Sequence, residues 1–354
     1  MNAQALIDTA RALVAGDKGL LAIDESNGTC NRRFGSAGIA QTEETRRAWR
    51  ELLVTTPGLG ECISGAILYD ETIRQGKKDG TLFVKVLTDA GIIPGIKVDT
   101  GAKPMTGHRG EKLTEGLDGL PARLKEYVQM GARFAKWRAV IAIGPGLPTK
   151  NCIDANARAL AQYAAFCQEA ALVPIVEPEV LMTGDHTMEK CRAVTEEVLL
   201  IVFGELRAYG VALEGMILKP NMVLPGSACA IQPAVDEVAA ATVSCLLSAV
   251  PAVVPGIAFL SGGQSGELAS ARLNAMNVKF KAAVPWALAF SFARAIEHPA
   301  LEIWAGVEAN REVAQKALYH RASCNNAARR GQYNAAMEAA EPQGEARPGT
   351  RSAA

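Results

Sequence analysis

Short apolar runs alternate with helical segments along this chain, and that alternation constrains the fold more than any other feature. The runs span 20–24, 63–69, 92–99, 133–140, 172–176, 215–219, 257–261 and 286–291. Runs of this length, bounded by Gly, Pro or charge, read as buried strands. Helix signals fill the intervals. Thr42 caps a helix reaching about Leu53, with Glu43 and Glu44 in its first turn. Asn151 caps one that reaches about Ala170, and Ser265 caps another. Over 187–209, Cys191, Val194, Val198, Val202 and Leu206 form an apolar stripe. Further helices are expected near 72–78, 81–90, 117–130, 233–249, 293–304 and 308–330, with a polar loop over 100–116. No element is assigned between Asp24 and Thr42.

Strands alternating with helices make a parallel sheet. Eight such units within 354 residues suit a (β/α)₈ barrel, whose common size is about 250 residues before insertions. The alternative is an open doubly wound sheet. A glycine-rich dinucleotide loop after the first strand would favour it, but Glu25-Ser26-Asn27-Gly28 does not match that pattern. No linker or composition break divides the chain. One barrel domain is therefore expected over 1–340, with an N-terminal helix and C-terminal helices, followed by a disordered tail over 341–354.

Lys plus Arg equals Asp plus Glu at 37 each, which gives no reason to expect nucleic acid or an anionic membrane as partner. The stretch 238–260 is uncharged and long enough to span a bilayer, but Pro251, Pro255 and Gly256 break it into a helix and a strand. The eight cysteines make no C-x-x-C pair and read as reduced thiols. The four histidines, His108, His186, His298 and His320, make no ligand pair, so no metal and no cofactor are expected. Residues 1–16 lack the layout of a signal peptide, and a cytoplasmic location is expected.

Barrel enzymes build their active sites at the carboxyl ends of the strands. In Gly215-Met216-Ile217-Leu218-Lys219-Pro220-Asn221, three apolar residues lead into a lysine and a proline stops the run. Burial there disfavours the ammonium form, and a neutral amine attacks carbonyl carbon to form a Schiff base. Alone, such a lysine reads as one that snorkels to water. Other strands, however, also end in charge: Asp24, Lys97, Lys136 and Glu177. With a period of two, Ala22 and Asp24 share a face, as do Lys136 and Arg138, Glu177 and Glu179, and Ile217 and Lys219. If Leu21 and Ile23 pack on the helices, Asp24 faces the barrel mouth and the others can be phased to join it. Each charge has a bland account as a loop cap or solvated edge. Three lysines and two carboxylates in one cavity would cost stability unless used. Lys136 makes a charged Lys219 costlier. Carboxylates can move the protons of carbinolamine dehydration. Ser261-Gly262-Gly263 and Arg294 follow the last two strands, where barrels often seat a phosphate. The pattern suits a phosphorylated carbonyl compound.

These residues resemble the class I fructose-bisphosphate aldolases. The matching pieces include Leu20-Leu21-Ala22-Ile23-Asp24-Glu25-Ser26, Gly95-Ile96-Lys97-Val98-Asp99, Phe134-Ala135-Lys136-Trp137-Arg138 and Pro174-Ile175-Val176-Glu177-Pro178-Glu179. Leu218-Lys219-Pro220-Asn221-Met222-Val223 and Phe259-Leu260-Ser261-Gly262-Gly263-Gln264-Ser265 continue the match. The resemblance implies that Lys219 forms the Schiff base, Glu177 is the acid/base, and Asp24 and Lys136 assist. It implies that Ser261, Gly262 and Arg294 hold one phosphate. Arg33 and Lys97 would hold the other, with Arg138 near it, and Glu179 would support the lysines. It further implies a glycolytic and gluconeogenic enzyme, a homotetramer, that cleaves fructose 1,6-bisphosphate to dihydroxyacetone phosphate and glyceraldehyde 3-phosphate. Two departures stand out. The family has Gly where this chain has Ala293. Eukaryotic members end in a tyrosine that protonates the enamine, whereas this chain ends Ser352-Ala353-Ala354. The tail is thus not expected to be a catalytic arm. The rival readings are a different ketose substrate, such as sedoheptulose bisphosphate, and a silent sugar-phosphate-binding scaffold. The latter would have no need to keep Asp24, Lys136, Glu177 and Lys219 together.

Overall fold

Leu20 and Ala22 face one way and Leu21 and Ile23 the other, and this alternation separates the two apolar cores of the molecule. In the computed structural model, which describes residues 3–340, Leu20 and Ala22 meet Ile67, Phe134, Ile175 and Ile217 in an interior cluster. Leu21 and Ile23 lie in the outer cluster, between strands and helices.

The strands are β1 (Gly19–Ala22), β2 (Ile63–Leu68), β3 (Ile93–Lys97), β4 (Gly101–Pro104), β5 (Lys112–Glu115), β6 (Phe134–Ile141), β7 (Val173–Val180), β8 (Ile217–Leu218), β9 (Gly256–Phe259) and β10 (Ala287–Phe292). All but β4 and β5 join in parallel, in the order β1-β2-β3-β6-β7-β8-β9-β10, and β10 pairs back to β1. Among the described residues this is a closed eight-stranded parallel barrel, the (β/α)₈ architecture.

The helices are α1 (Ala3–Leu13), α2 (Asn27–Ser36), α3 (Glu43–Val54), α4 (Asp70–Ile73), α5 (Phe83–Asp89), α6 (Leu120–Gln129), α7 (Lys150–Glu169), α8 (Met188–Ala208), α9 (Val235–Ala249), α10 (Gly266–Phe280), α11 (Arg294–Trp304) and α12 (Arg311–Arg330). Helix α1 closes the amino end of the barrel. Its Leu6, Ala10 and Leu13 pack into the interior cluster, and Ser64 Oγ, near the start of β2, donates to the Leu13 carbonyl. The opposite, carboxyl end stays open. Among the described residues no helix is long and apolar enough to cross a membrane, and no disulfide forms.

Three expectations need correction. The unassigned stretch after Asp24 contains α2, capped by Ser26. Its Gly28, Gly35 and Asn residues have low helix propensity, and only Cys30 and Phe34 are buried to hold it. The polar loop over 100–116 contains the antiparallel hairpin β4–β5. The cap of α7 is Thr149 rather than Asn151. The Thr149 hydroxyl accepts from Cys152 N at 3.2 Å while donating to Glu111 at 2.6 Å. The expected disordered tail, 341–354, lies outside the described residues.

Candidate active site

Parallel closure brings the carboxyl ends of all eight barrel strands to one rim. Asp24 leaves β1, Lys97 ends β3, Lys136 and Arg138 lie on β6, and Glu177 and Glu179 lie on β7. Lys219 directly follows β8, Ser261 and Gly262 follow β9, and Arg294 opens α11 after β10. Helix α2 contributes Arg33. Every one of these residues lines a single cavity of about 620 Å³.

Four side chains form its floor. Glu177 bridges both lysines, with Oε2 at 3.1 Å from Lys136 Nζ and Oε1 at 3.2 Å from Lys219 Nζ. Asp24 Oδ2 is 2.6 Å from Lys136 Nζ. Only 4% of the side-chain surface of Lys136, Glu177 and Lys219 is exposed, so these charges interact with little water between them. Burial alone would lower the Lys136 pKa, but Asp24, Glu177 and Asp99 outweigh it and hold the ammonium well above its usual range. Burial alone would raise Asp24 and Glu177, and the two lysines outweigh it, pulling both carboxyls below their usual values. Lys136 thus has two carboxylates to hold its proton, and Lys219 has one neighbouring carboxylate, which it shares with Lys136.

The cations nearer the mouth differ in how they are held. Lys97 Nζ lies 2.6 Å from Asp99 Oδ1 and donates to the Asp99 carbonyl. Arg138 pairs with Glu179, and Arg33 with Glu25 and Glu297. Glu179 therefore faces Arg138 in this structure rather than the lysines. Arg294, by contrast, has no ion pair or side-chain hydrogen bond among the described residues, and it is exposed at the cavity edge. Beside it, Gly262 and Gly263 adopt φ of 61° and 96°. Glycine takes these left-handed angles without penalty, which lets the backbone turn across the opening after β9. A Cβ on Gly263 would come 3.6 Å from the Arg294 guanidinium, so loop and cation adjoin. Ala293 precedes Arg294, with φ −106° and ψ −96°, and also lines the cavity.

Comparison with known proteins decides the family. The family model for "Fructose-bisphosphate aldolase class-I" matches residues 5–347. The chain belongs to the class I fructose-bisphosphate aldolase family. It is accordingly a carbon–carbon lyase of the class that works through a lysine Schiff base. It is 55% identical over 334 residues to a probable class 1 fructose-bisphosphate aldolase of Xanthomonas campestris, covering 94% of this chain and 99% of that protein. It is 50% identical to the cytosolic fructose-bisphosphate aldolase 6 of Arabidopsis thaliana, covering 94% and 92% of the two chains. A solved fructose-bisphosphate aldolase from Plasmodium falciparum superposes with a TM-score of 0.92 at 46% identity, covering 94% and 96%.

The aldolase cavity also holds polar residues that sequence reasoning did not assign to it. Ser291 Oγ is buried, has no partner among the described residues, and lines the cavity. The signal was present, because Ala287 and Ala289 share its strand face and pack inside the barrel. Asp99 anchors Lys97 and accepts from the Arg138 N–H at 3.2 Å. The missed hairpin places Gly101 and Ala102 at the mouth. Arg50 and Glu297, which hold Glu25 and Arg33 from behind, come from helices whose sequence gave no hint of convergence. His320, Cys324 and Glu338 form the one group of possible metal ligands among the described residues, and none of them lines the cavity.

Proposed function

We propose that Lys219 is the Schiff-base lysine and that the substrate is fructose 1,6-bisphosphate, cleaved reversibly to dihydroxyacetone phosphate and glyceraldehyde 3-phosphate. The difference between the two buried lysines carries this reading. Asp24 and Glu177 hold the proton on Lys136, which leaves Lys219 as the amine that adds to the ketose C2. The proton that the Lys219 ammonium gives up passes to Glu177, 3.2 Å away, and Glu177 returns it to the carbinolamine hydroxyl, which leaves as water and restores the Glu177 carboxylate. Glu177 then accepts the C4 hydroxyl proton. The C3–C4 bond breaks, its electron pair moves through C2 to the iminium nitrogen, and glyceraldehyde 3-phosphate leaves. A proton returns to C3 of the enamine from water, Glu177 or Lys136. Hydrolysis of the iminium then frees dihydroxyacetone phosphate and Lys219. Asp24 orients the Lys136 ammonium near these carbons.

Ser261, the Gly262 backbone and Arg294 take the C1 phosphate. The unpaired state of Arg294 supports this, since no carboxylate has to be displaced. Arg33 and Lys97, with Arg138 nearby, take the distal phosphate in competition with their resting carboxylates, and Glu179 sets the position of Arg138. We further infer a cytoplasmic homotetramer, supported by the cytosolic name of the Arabidopsis relative and by membership of the family. An assay of triose phosphate release tests the substrate. Fructose 1,6-bisphosphate should be cleaved by the wild type and not by Lys219→Met of equal thermal stability. Faster turnover of sedoheptulose 1,7-bisphosphate would move the assignment to the longer ketose.

A further inference from the structure

Glu25, the residue after Asp24, belongs to a second group of four charges, formed with the half-buried Arg33 of α2 and the buried Arg50 of α3 and Glu297 of α11. Arg33 Nη1 is shared by two acids: Glu25 Oε1, and Glu297 Oε1 at 3.0 Å. Glu25 Oε2 accepts from Arg50 Nη2 at 2.7 Å. Glu297 Oε2 is buried without a hydrogen-bond partner, and Arg50 Nη1, 4.0 Å away, is likewise unsatisfied. The Glu25 and Glu297 carboxyls therefore converge on the same two guanidinium groups, Arg33 and Arg50, and lie side by side there. Two ionised carboxylates in contact repel, and a proton between them turns the contact into a hydrogen bond.

We propose that Glu297 is a positioning residue whose carboxyl keeps a proton, donates it to Glu25, and thereby holds Arg33 at the cavity mouth as an available cation for the distal phosphate. This rests on the reading of Arg33 as a phosphate residue. With Glu297 neutral, two guanidinium groups face one carboxylate, and the group carries an excess positive charge. With Glu297 ionised the group is neutral, and an incoming phosphate meets two competing carboxylates on Arg33. Burial and the Glu25 carboxylate push Glu297 well above the usual carboxylate range. Burial also raises Glu25, but Arg50, Glu297 and Arg33 outweigh it and hold that carboxyl far below its usual range. The other groups facing Glu297 across a small cleft are Cys30 on α2, whose thiol burial pushes up to about 11, and Arg294 and His298 on its own helix.

The test is Glu297→Gln, whose amide donates the same hydrogen bond without titrating, set beside Glu297→Ala. Expected for Glu297→Gln is a KM for fructose 1,6-bisphosphate within about twofold of wild type at neutral pH, whereas Glu297→Ala raises it. On the alkaline side the wild-type KM should climb while that of Glu297→Gln stays flat. Fructose 1-phosphate, which lacks the distal phosphate, should show no such difference. Infrared difference spectra, wild type minus Glu297→Gln, should contain a protonated-carboxyl band at neutral pH. An alkaline rise in Glu297→Gln equal to that of wild type, or absence of the band, would overturn the shared proton. Arg33→Gln separates the underlying reading: it should raise the bisphosphate KM by about tenfold or more and leave fructose 1-phosphate unchanged. If Arg33→Gln affects neither substrate, the phosphate role of Arg33 fails, and this proposal with it.

Discussion

Two charged quartets sit side by side, entered by consecutive residues of the chain, and each holds two acids and two bases. In the first, Asp24, Lys136, Glu177 and Lys219, the acids contact lysines, and both acids are pulled below their usual values. In the second, Glu25, Arg33, Arg50 and Glu297, both acids converge on the same arginines, and one is driven up while the other is driven down. The difference lies in the bases. A lysine can give up its proton and become a nucleophile, whereas an arginine in a protein keeps its charge. The lysine quartet can therefore do covalent chemistry, and the arginine quartet can only hold and orient. The arginines keep their charge, so the protonation of the second group is set by its two acids, and of these Glu297 is the one held above its usual range.

Substitutions should separate the two quartets by size of effect. Lys219→Met should cut kcat by on the order of 10⁴ or more, as loss of a nucleophile does in enzymes generally. Steady-state assay against a folded control checks this, and a small loss would mean that another amine carries the reaction. Glu177→Gln should follow, with a fall in kcat on the order of 10² to 10⁴ and a modest change in KM. A change in KM alone would move Glu177 out of the proton-transfer role. Arg294→Ala should raise KM for the bisphosphate by about ten- to a hundredfold, far more than for an unphosphorylated ketose. An equal effect on both would mean that the residue acts through the fold.

The smallest effect is on stability, and there the quartets should differ in sign. Asp24 has a folded pKa below its unfolded value. Its contribution is present above about pH 4 and is lost as pH falls through the folded pKa. The stability gap between wild type and Asp24→Asn should therefore close in acid. Glu297 has a folded pKa above its unfolded value. The folded chain keeps a proton that the unfolded chain releases above about pH 4.3, so stability falls as pH rises from there until the folded group also ionises. Glu297→Gln should thus gain in Tm relative to wild type as pH rises. Melting curves at several pH values would show both trends. Trends of the same sign would remove the distinction between the quartets.

The lysine quartet was legible in sequence because a strand fixes where its residues point. A period of two, applied to Ala22 and Asp24 or to Ile217 and Lys219, puts the charge on the inner face once Leu21 and Ile23 are assigned to the helices. Parallel closure then brings the ends together with no further information. The arginine quartet was not legible for the same kind of reason. Its members come from a loop and three helices, α2, α3 and α11, and their meeting depends on how those helices pack over the barrel. Arg50 and Glu297 each look like ordinary helix charges, with nothing nearby in sequence to mark them as buried. Helix α2 itself was hidden because glycine and asparagine are poor helix formers, and two buried side chains suffice to hold it. The pairing of Glu179 with Arg138 was missed because period two gives the face of a side chain and not its partner: both residues point inward, and the register that sets Arg138 opposite Glu177 and Glu179 opposite Val140 appears only when the strands are aligned.

Whether Lys219 is the covalent amine is decided most directly by borohydride reduction in the presence of dihydroxyacetone phosphate, followed by peptide mapping. Reduction traps the iminium as a stable secondary amine on whichever lysine formed it. One substrate adduct per chain, on the peptide that carries Lys219, is the expected result. An adduct on Lys136, whose proton Asp24 and Glu177 are said to hold, or no adduct under conditions of active cleavage, would contradict it.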